Sequence, residues 1–188
     1  MTDYFALLRQ PHQPHLDDRA IEQAFHERAR LLHPDAAGAN EGDEFAQLNS
    51  AFNILRDPCL RLRHLLELEG VTPAKELLAP ELAEFFSQAA EISHRAKAQI
   101  ANERGSDSAI GRSIAQLKRS RIRAELVSVL GELEASKLQA QSDLEDLNAI
   151  WSNDRVAAVG KAVQLQQRFT VLQRWMKTLR ELQFQLEN

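Results

Sequence analysis

The 188-residue chain contains little that would staple or interrupt a fold. Its single cysteine, Cys59, excludes an internal disulfide and any cysteine-cluster zinc site. Only 7 Gly and 6 Pro break up long stretches of Leu, Ala, Glu, Gln and Arg, residues that lose little side-chain freedom in a helix. No apolar run approaches the roughly 20 residues of a membrane span. The opening "MTDYFALLRQP" is short rather than signal-like. These scarcities predict a soluble, cytoplasmic, all-α protein with no membrane partner. The net charge of −4 is uneven, because residues 1–72 hold 7 Lys/Arg against 12 Asp/Glu. An acidic first part argues against nucleic acid as a partner, since duplex binding requires phosphate neutralisation.

The polar–apolar pattern divides the chain into two parts. "YFALL" reads as a short helix or turn. In "LDDRAIEQAFHERARLL", Asp17 can accept first-turn amide hydrogens, with Leu16 and Ile21 at staple positions around it. Ile21, Ala24, Phe25 and Leu32 share one face, and Arg19, Gln23, His26 and Arg30 lie opposite. Pro34 forces His33 out of helical geometry and ends the helix. After the loop "AAGANEG", "DEFAQLNSAFNILRDP" restarts a helix with Phe45, Leu48, Phe52 and Leu55 inward. "RLRHLLELEG" is a further helix that Gly70 can cap. "VTPAKELLAPE", with two prolines, predicts a linker over 73–80. Beyond it, helical patterns near 81–104, 109–151 and 155–186 predict an antiparallel three-helix bundle over 81–188, folding independently of residues 1–72.

His33-Pro34-Asp35 at the tip of a helical hairpin, after a basic stripe, resembles the J-domain. "NSAFNILRDPCLR" (Asn49 to Arg61) strengthens the likeness through its Asn, Ala, aromatic, Leu, Pro and Arg spacing. "DYFALL" from Asp3, with Pro11, Leu16-Asp17, Phe25 and the Arg-x-x-x-Leu-Leu of "RLRHLLELEG", is similar to the HscB-type co-chaperones. The resemblance implies that residues 1–72 dock on a DnaK/HscA-type ATPase chaperone and stimulate its ATP hydrolysis. His33, Pro34, Asp35, Arg30, His26, Arg19 and Gln23 would make that contact. A carboxylate on a proline-stiffened corner costs little entropy to order and suits a guanidinium partner. The resemblance also implies that the bundle delivers an iron–sulfur scaffold protein, with Leu82, Phe85 and Phe86 as the client-facing residues.

The chain departs from the family pattern in several places. Ala36 stands where Lys is common, Leu32 where Tyr is common, and Arg28 interrupts the inward stripe. The acidic run expected after Phe86 is replaced by Gln88-Ala89-Ala90, and the last helix offers Arg168 where an apolar residue is expected. These departures support a second reading, a degenerate J-like interaction module with another client and no ATPase stimulation. His33 and Asp35 do not form an acid–base dyad, because loop neighbours diverge and no nucleophile accompanies them. No enzymatic activity, cofactor or metal is therefore expected. His12 and His15 lack the acidic or thiolate companions of a metal site and read as solvated. Arg112, Lys118, Arg119, Arg121 and Arg123 read first as a solvated face, with an acidic partner or RNA as the alternative.

Overall fold

The computed structural model describes residues 2–32, 41–71, 80–102 and 108–187. Among them run seven helices: α1 (Tyr4–Leu7), α2 (Asp18–Leu31), α3 (Glu41–Arg56), α4 (Pro58–Leu68), α5 (Pro80–Asn102), α6 (Ala109–Asn153) and α7 (Arg155–Glu187). The described residues contain no strand, as an all-α reading requires. The expected linker lies almost entirely outside the described residues. By its contacts the chain forms two compact units, residues 1–76 with 141–167, and residues 77–140 with 168–188.

The helix ends of the first unit follow from single residues. Asp17 accepts the amide of Arg19 at 2.9 Å to start α2, and Leu16 and Ile21 are both buried beside it. Asp57 accepts from the amides of Cys59 at 2.8 Å and Leu60 at 2.9 Å, and Pro58 occupies the first position of α4, where no amide hydrogen is needed. Gly70 stops α4 at φ +73°, where a side chain would cost about 1–2 kcal/mol. Its amide reaches the Glu67 carbonyl at 3.1 Å, and that of Val71 reaches Leu66 at 2.9 Å. This reciprocal pair satisfies carbonyls that the helix end leaves open.

Helix α3 packs against α1, α2 and α4. Leu48 and Leu55 are buried as their spacing predicts, and Phe52 meets Phe25 with ring centroids 4.5 Å apart. Phe45, expected inward, is 43% exposed. It sits in the first turns of α3, beyond the reach of the core that Leu48 begins.

The guanidinium of Arg61 lies inside this unit, 2% exposed. Its Nε donates to the Pro14 carbonyl at 2.8 Å and its Nη1 to the Leu55 carbonyl at 2.6 Å. Burial lowers its pKa to about 10, opposed by the carboxylates of Asp18 and Asp57, so it remains charged at neutral pH. His64 is also buried, between the rings of Tyr4 and Phe5. Its Nε2 accepts the Tyr4 amide at 3.1 Å, which requires a neutral imidazole there.

The tip formed by α6 and α7 belongs to this first unit, whereas the sequence pattern assigns all of 81–188 to the bundle. Particular polar contacts account for the difference. Asn148 clasps the backbone of His15, its Oδ1 accepting the amide at 2.8 Å and its Nδ2 donating to the carbonyl at 2.9 Å. Trp151 Nε1 donates to the His12 carbonyl at 2.9 Å, and the Cys59 thiol faces the Gln166 carbonyl at 3.8 Å. Arg155 covers the Trp151 ring at 4.4 Å and reaches Glu69 at 3.4 Å. Asp154 makes the break between α6 and α7, accepting the Ala157 amide at 3.0 Å.

In the second unit α5, α6 and α7 run antiparallel to their neighbours. Gln99 near the end of α5 donates to the Ala115 carbonyl at 3.2 Å, and Arg119 near the start of α6 donates to Leu186 near the end of α7 at 2.6 Å. The core takes Ala89, Ile92 and Ala96 from α5, Leu126, Leu130 and Leu133 from α6, and Leu172, Met176, Leu179, Leu182 and Leu186 from α7. Small residues on α5 face the larger ones of its neighbours, so the three stripes interdigitate.

Truncating Arg61 to Ala removes both carbonyl partners and opens a cavity, so urea unfolding will show a loss of about 3–4 kcal/mol. Residues 73–188 alone leave Leu147 and Trp151 without the first unit's cover, so this fragment will bind an apolar dye that the full chain excludes. Burial chiefly holds the His64 pKa below 6.5, with Glu67 and Asp3 opposing this and His12 adding to it. The unfolded chain therefore takes up the proton first, and stability falls as pH drops from 7 through about 6.5 toward the lower folded value. Thermal melts between pH 7 and 5 will show this slope, and His64→Gln will flatten it.

Candidate functional site

Helix α2 turns two faces to different surroundings. Ile21 is fully buried, while Arg19, Gln23, His26 and Arg30 are all exposed on the opposite side. Three of these four, with Glu27, line one open concavity. Arg19, His26 and Arg30 make no ion pair among the described residues, nor do Arg9 and Arg28, whereas other arginines of the unit do. Arg56 reaches Glu22 at 3.7 Å, Arg63 reaches Glu67 at 3.9 Å, and Arg155 reaches Glu69. The α2 face is thus left with uncommitted donors. His33, Pro34 and Asp35, expected to complete it, lie outside the described residues.

Glu27 is the member of this face that the stripe pattern passes over. Its carboxylate accepts from Gln23 Nε2 at 2.8 Å, which places one negative charge among the basic residues and occupies a predicted docking side chain. The i, i+4 spacing of Gln23 and Glu27 was the available signal. Arg28 is half-buried, and its Nε has no hydrogen-bond partner among the described residues.

The histidines and the basic segment are more engaged than expected. His12 Nε2 lies 2.8 Å from Asp3 Oδ2 and its ring packs on Phe5, while His15 lies 3.7 Å from Glu145. Burial alone would raise the Asp3 carboxyl, but the Ala6 amide and His12 together hold it below its usual value. No group of three His, Cys, Asp or Glu among the described residues could hold a metal ion. In the basic segment, Arg119 is bound to Leu186, Arg121 reaches Glu125 at 3.2 Å, and Arg123 reaches Glu187 at 3.3 Å. Arg121 and Arg123 thus have carboxylate partners within the bundle.

Of the expected client cluster on α5, only Phe86 has a described side chain. Phe86 is 8% exposed, stacked on Trp175 with centroids 6.4 Å apart and packed with Val171. It is therefore a core side chain and not an exposed anchor. The side chains of Leu82 and Phe85 lie outside the described residues. Arg168 donates to the Ser136 carbonyl at 3.1 Å and hydroxyl at 3.2 Å, so α7 presents no apolar residue at that position.

A hairpin of α2 and α3, buttressed by α1 and α4 and carrying a basic outer face, agrees with the profile of the DnaJ domain, which matches residues 3–64. Over 156 residues the chain is 31% identical to a "Co-chaperone protein HscB homolog" of Shewanella halifaxensis, spanning 77% of this chain and 88% of the relative. The Shewanella loihica homologue is 30% identical over 152 residues, spanning 76% and 87%. Two solved structures share the fold, each at TM-score 0.58. The chaperone HscB from Vibrio cholerae is 21% identical, with 98% of this chain and 99% of that one covered, and human co-chaperone HscB is 15% identical, with 94% and 81% covered.

The fold and site define a J-domain protein, a co-chaperone of Hsp70-type chaperones. Within that class, the likeness over about three quarters of the chain is decisive: the chain belongs to the HscB family of co-chaperones. None of its described helices is long and apolar enough to cross a membrane.

Because Phe86 is packed on Trp175, Phe86→Ala will lower the stability of the full chain by about 3–4 kcal/mol. Calorimetric melting checks this, and an exposed anchor residue would leave the transition unmoved.

Proposed function

We propose that the chain docks on a DnaK/HscA-type ATPase through the outer face of α2 and the His33-Pro34-Asp35 corner, and stimulates its ATP hydrolysis. The observation that carries this reading is the set of uncommitted donors Arg19, His26 and Arg30 on one exposed face, beside engaged arginines elsewhere in the unit. A face whose cations have no partner in their own chain is available to a carboxylate surface on another. Asp35 would supply the opposite charge at the corner, so the contact is oriented as well as attractive. The protein performs no bond chemistry in this scheme; the hydrolysis belongs to the ATPase.

The family likeness supports an iron–sulfur scaffold protein as the client, held by α5. With Phe86 in the core, the contact falls to Leu82 and Phe85. The burial of Phe86 and the presence of Glu27 on the docking face also favour the second reading, a J-like module with another client and no stimulation.

Single-turnover ATP hydrolysis by a DnaK-type chaperone tests the first reading. Asp35→Asn will return the rate to that of the chaperone alone, Arg30→Ala will reduce stimulation about twofold to fivefold, and Glu27→Gln will raise it by about twofold. Stimulation that Asp35→Asn leaves intact would overturn the docking assignment. A calorimetric titration of the full chain against the scaffold protein tests the client, with Leu82→Ala/Phe85→Ala expected to abolish the heat. No binding by the parent chain would remove the iron–sulfur client and leave the docking face untouched.

A further inference from the structure

The side of α6 turned away from its bundle core carries four exposed apolar side chains. Ile110 is 75% exposed, Leu117 72% and Leu138 66%, with Ile114 also open to solvent. At about 100° per residue, all four point within about 60° of the direction opposite Leu126, which fills the core. The spacing 110, 114, 117 continues through 121, 124, 128, 131 and 135 to 138, alternating four and three. That is the spacing of a heptad seam over about 42 Å of helix, with large apolar residues towards its two ends and Arg121, Ala124, Ser128, Gly131 and Ala135 between them. Arg121 is the one charged residue on it, and it is already paired with Glu125.

Gly131 lies in the middle of α6, where glycine costs about 1 kcal/mol relative to alanine. A Cβ at this position would meet nothing within 4 Å. Nothing in its own chain explains the glycine, whereas a close approach by a second helix does.

We propose that this face joins two copies of the chain, with their α6 helices antiparallel about a two-fold axis near Ala124. In that register Leu117 faces Gly131 of the second copy, Ile114 lies beside Ala135, and Ile110 meets Leu138 at each end. Ala124 faces its own equivalent. Charge selects the same direction. Lys118 and Glu132 flank the seam at equivalent heptad positions, both exposed and without an ion pair among the described residues. Antiparallel pairing sets each Lys118 against a Glu132, twice per dimer, whereas parallel pairing sets Lys118 beside Ser113 and Glu132 beside Val127, with no opposite charge for either. Glu125, near the axis, is already held by Arg95 and Arg121, so its approach to its equivalent is screened. Such a contact is isologous and closes at two copies.

Sedimentation equilibrium of the full chain at 5–100 µM (about the range in which a modest interface of this kind dissociates) will show a monomer–dimer equilibrium. Lys118→Glu and Glu132→Lys will each weaken it at least tenfold, and the double swap will restore it. Lys118 and Glu132 are surface residues, so circular dichroism of all three variants will match the parent. Ala124→Cys will form a cross-linked dimer on mild oxidation, because the native Cys59 is buried and the two introduced thiols meet at the axis. A chain that stays monomeric at 100 µM overturns the proposal, as it does if this face captures only a different protein. Efficient cross-linking through Ile110→Cys in place of Ala124→Cys would also overturn it, since it requires parallel helices.

Discussion

The first unit is organised around a cation that has been withdrawn from water. Arg61 binds the carbonyl of Pro14, in the segment between α1 and α2, and that of Leu55, at the end of α3. One side chain therefore ties three parts of the chain that share no regular hydrogen-bonding ladder. Burying a guanidinium is costly unless its hydrogens are accepted and opposite charge stands nearby. The two carbonyls meet the first requirement, and Asp18 and Asp57 contribute to the second. Asp57 also caps α4, so the same carboxylate starts the helix that carries Arg61.

This arrangement separates the unit's cations by role. Arg61 is enclosed, Arg56 and Arg63 are bound to carboxylates, and the α2 donors face outward. A recognition surface benefits from that division, because charges already satisfied within the chain cannot be recruited by a partner without losing their own contacts. Glu27 works against it. Its bond to Gln23 narrows the positive stretch from within, and its influence is strongest at low ionic strength, where surface charges act over longer distances.

Much of this was legible in the sequence because it is local. Asp17, Gly70 and the seven helices follow from capping chemistry and periodicity, which operate over a few residues. Arg61 was visible as part of a motif, but its burial was not, since its partners come from Pro14 and Leu55. The assignment of residues 141–167 to the first unit was likewise hidden. Asn148 and Trp151 read as ordinary members of a bundle helix, and only the fold shows that they bind the backbone at His15 and His12. Phe86 shows the limit of periodicity in another way. An apolar stripe on a helix gives one answer for core and for binding surface, and here Trp175 decides it.

The clasp between Asn148 and His15 spans 133 positions of the chain. Synthesis delivers the whole α2–α3 hairpin long before the residues that complete its unit. Until Asn148 and Trp151 have been made, the backbone at His12 and His15 has only water to bind. Contacts so distant in sequence also slow folding, since a long loop must close before they contribute. Residues made more than 130 positions later therefore govern when the α2–α3 hairpin's unit becomes fully formed.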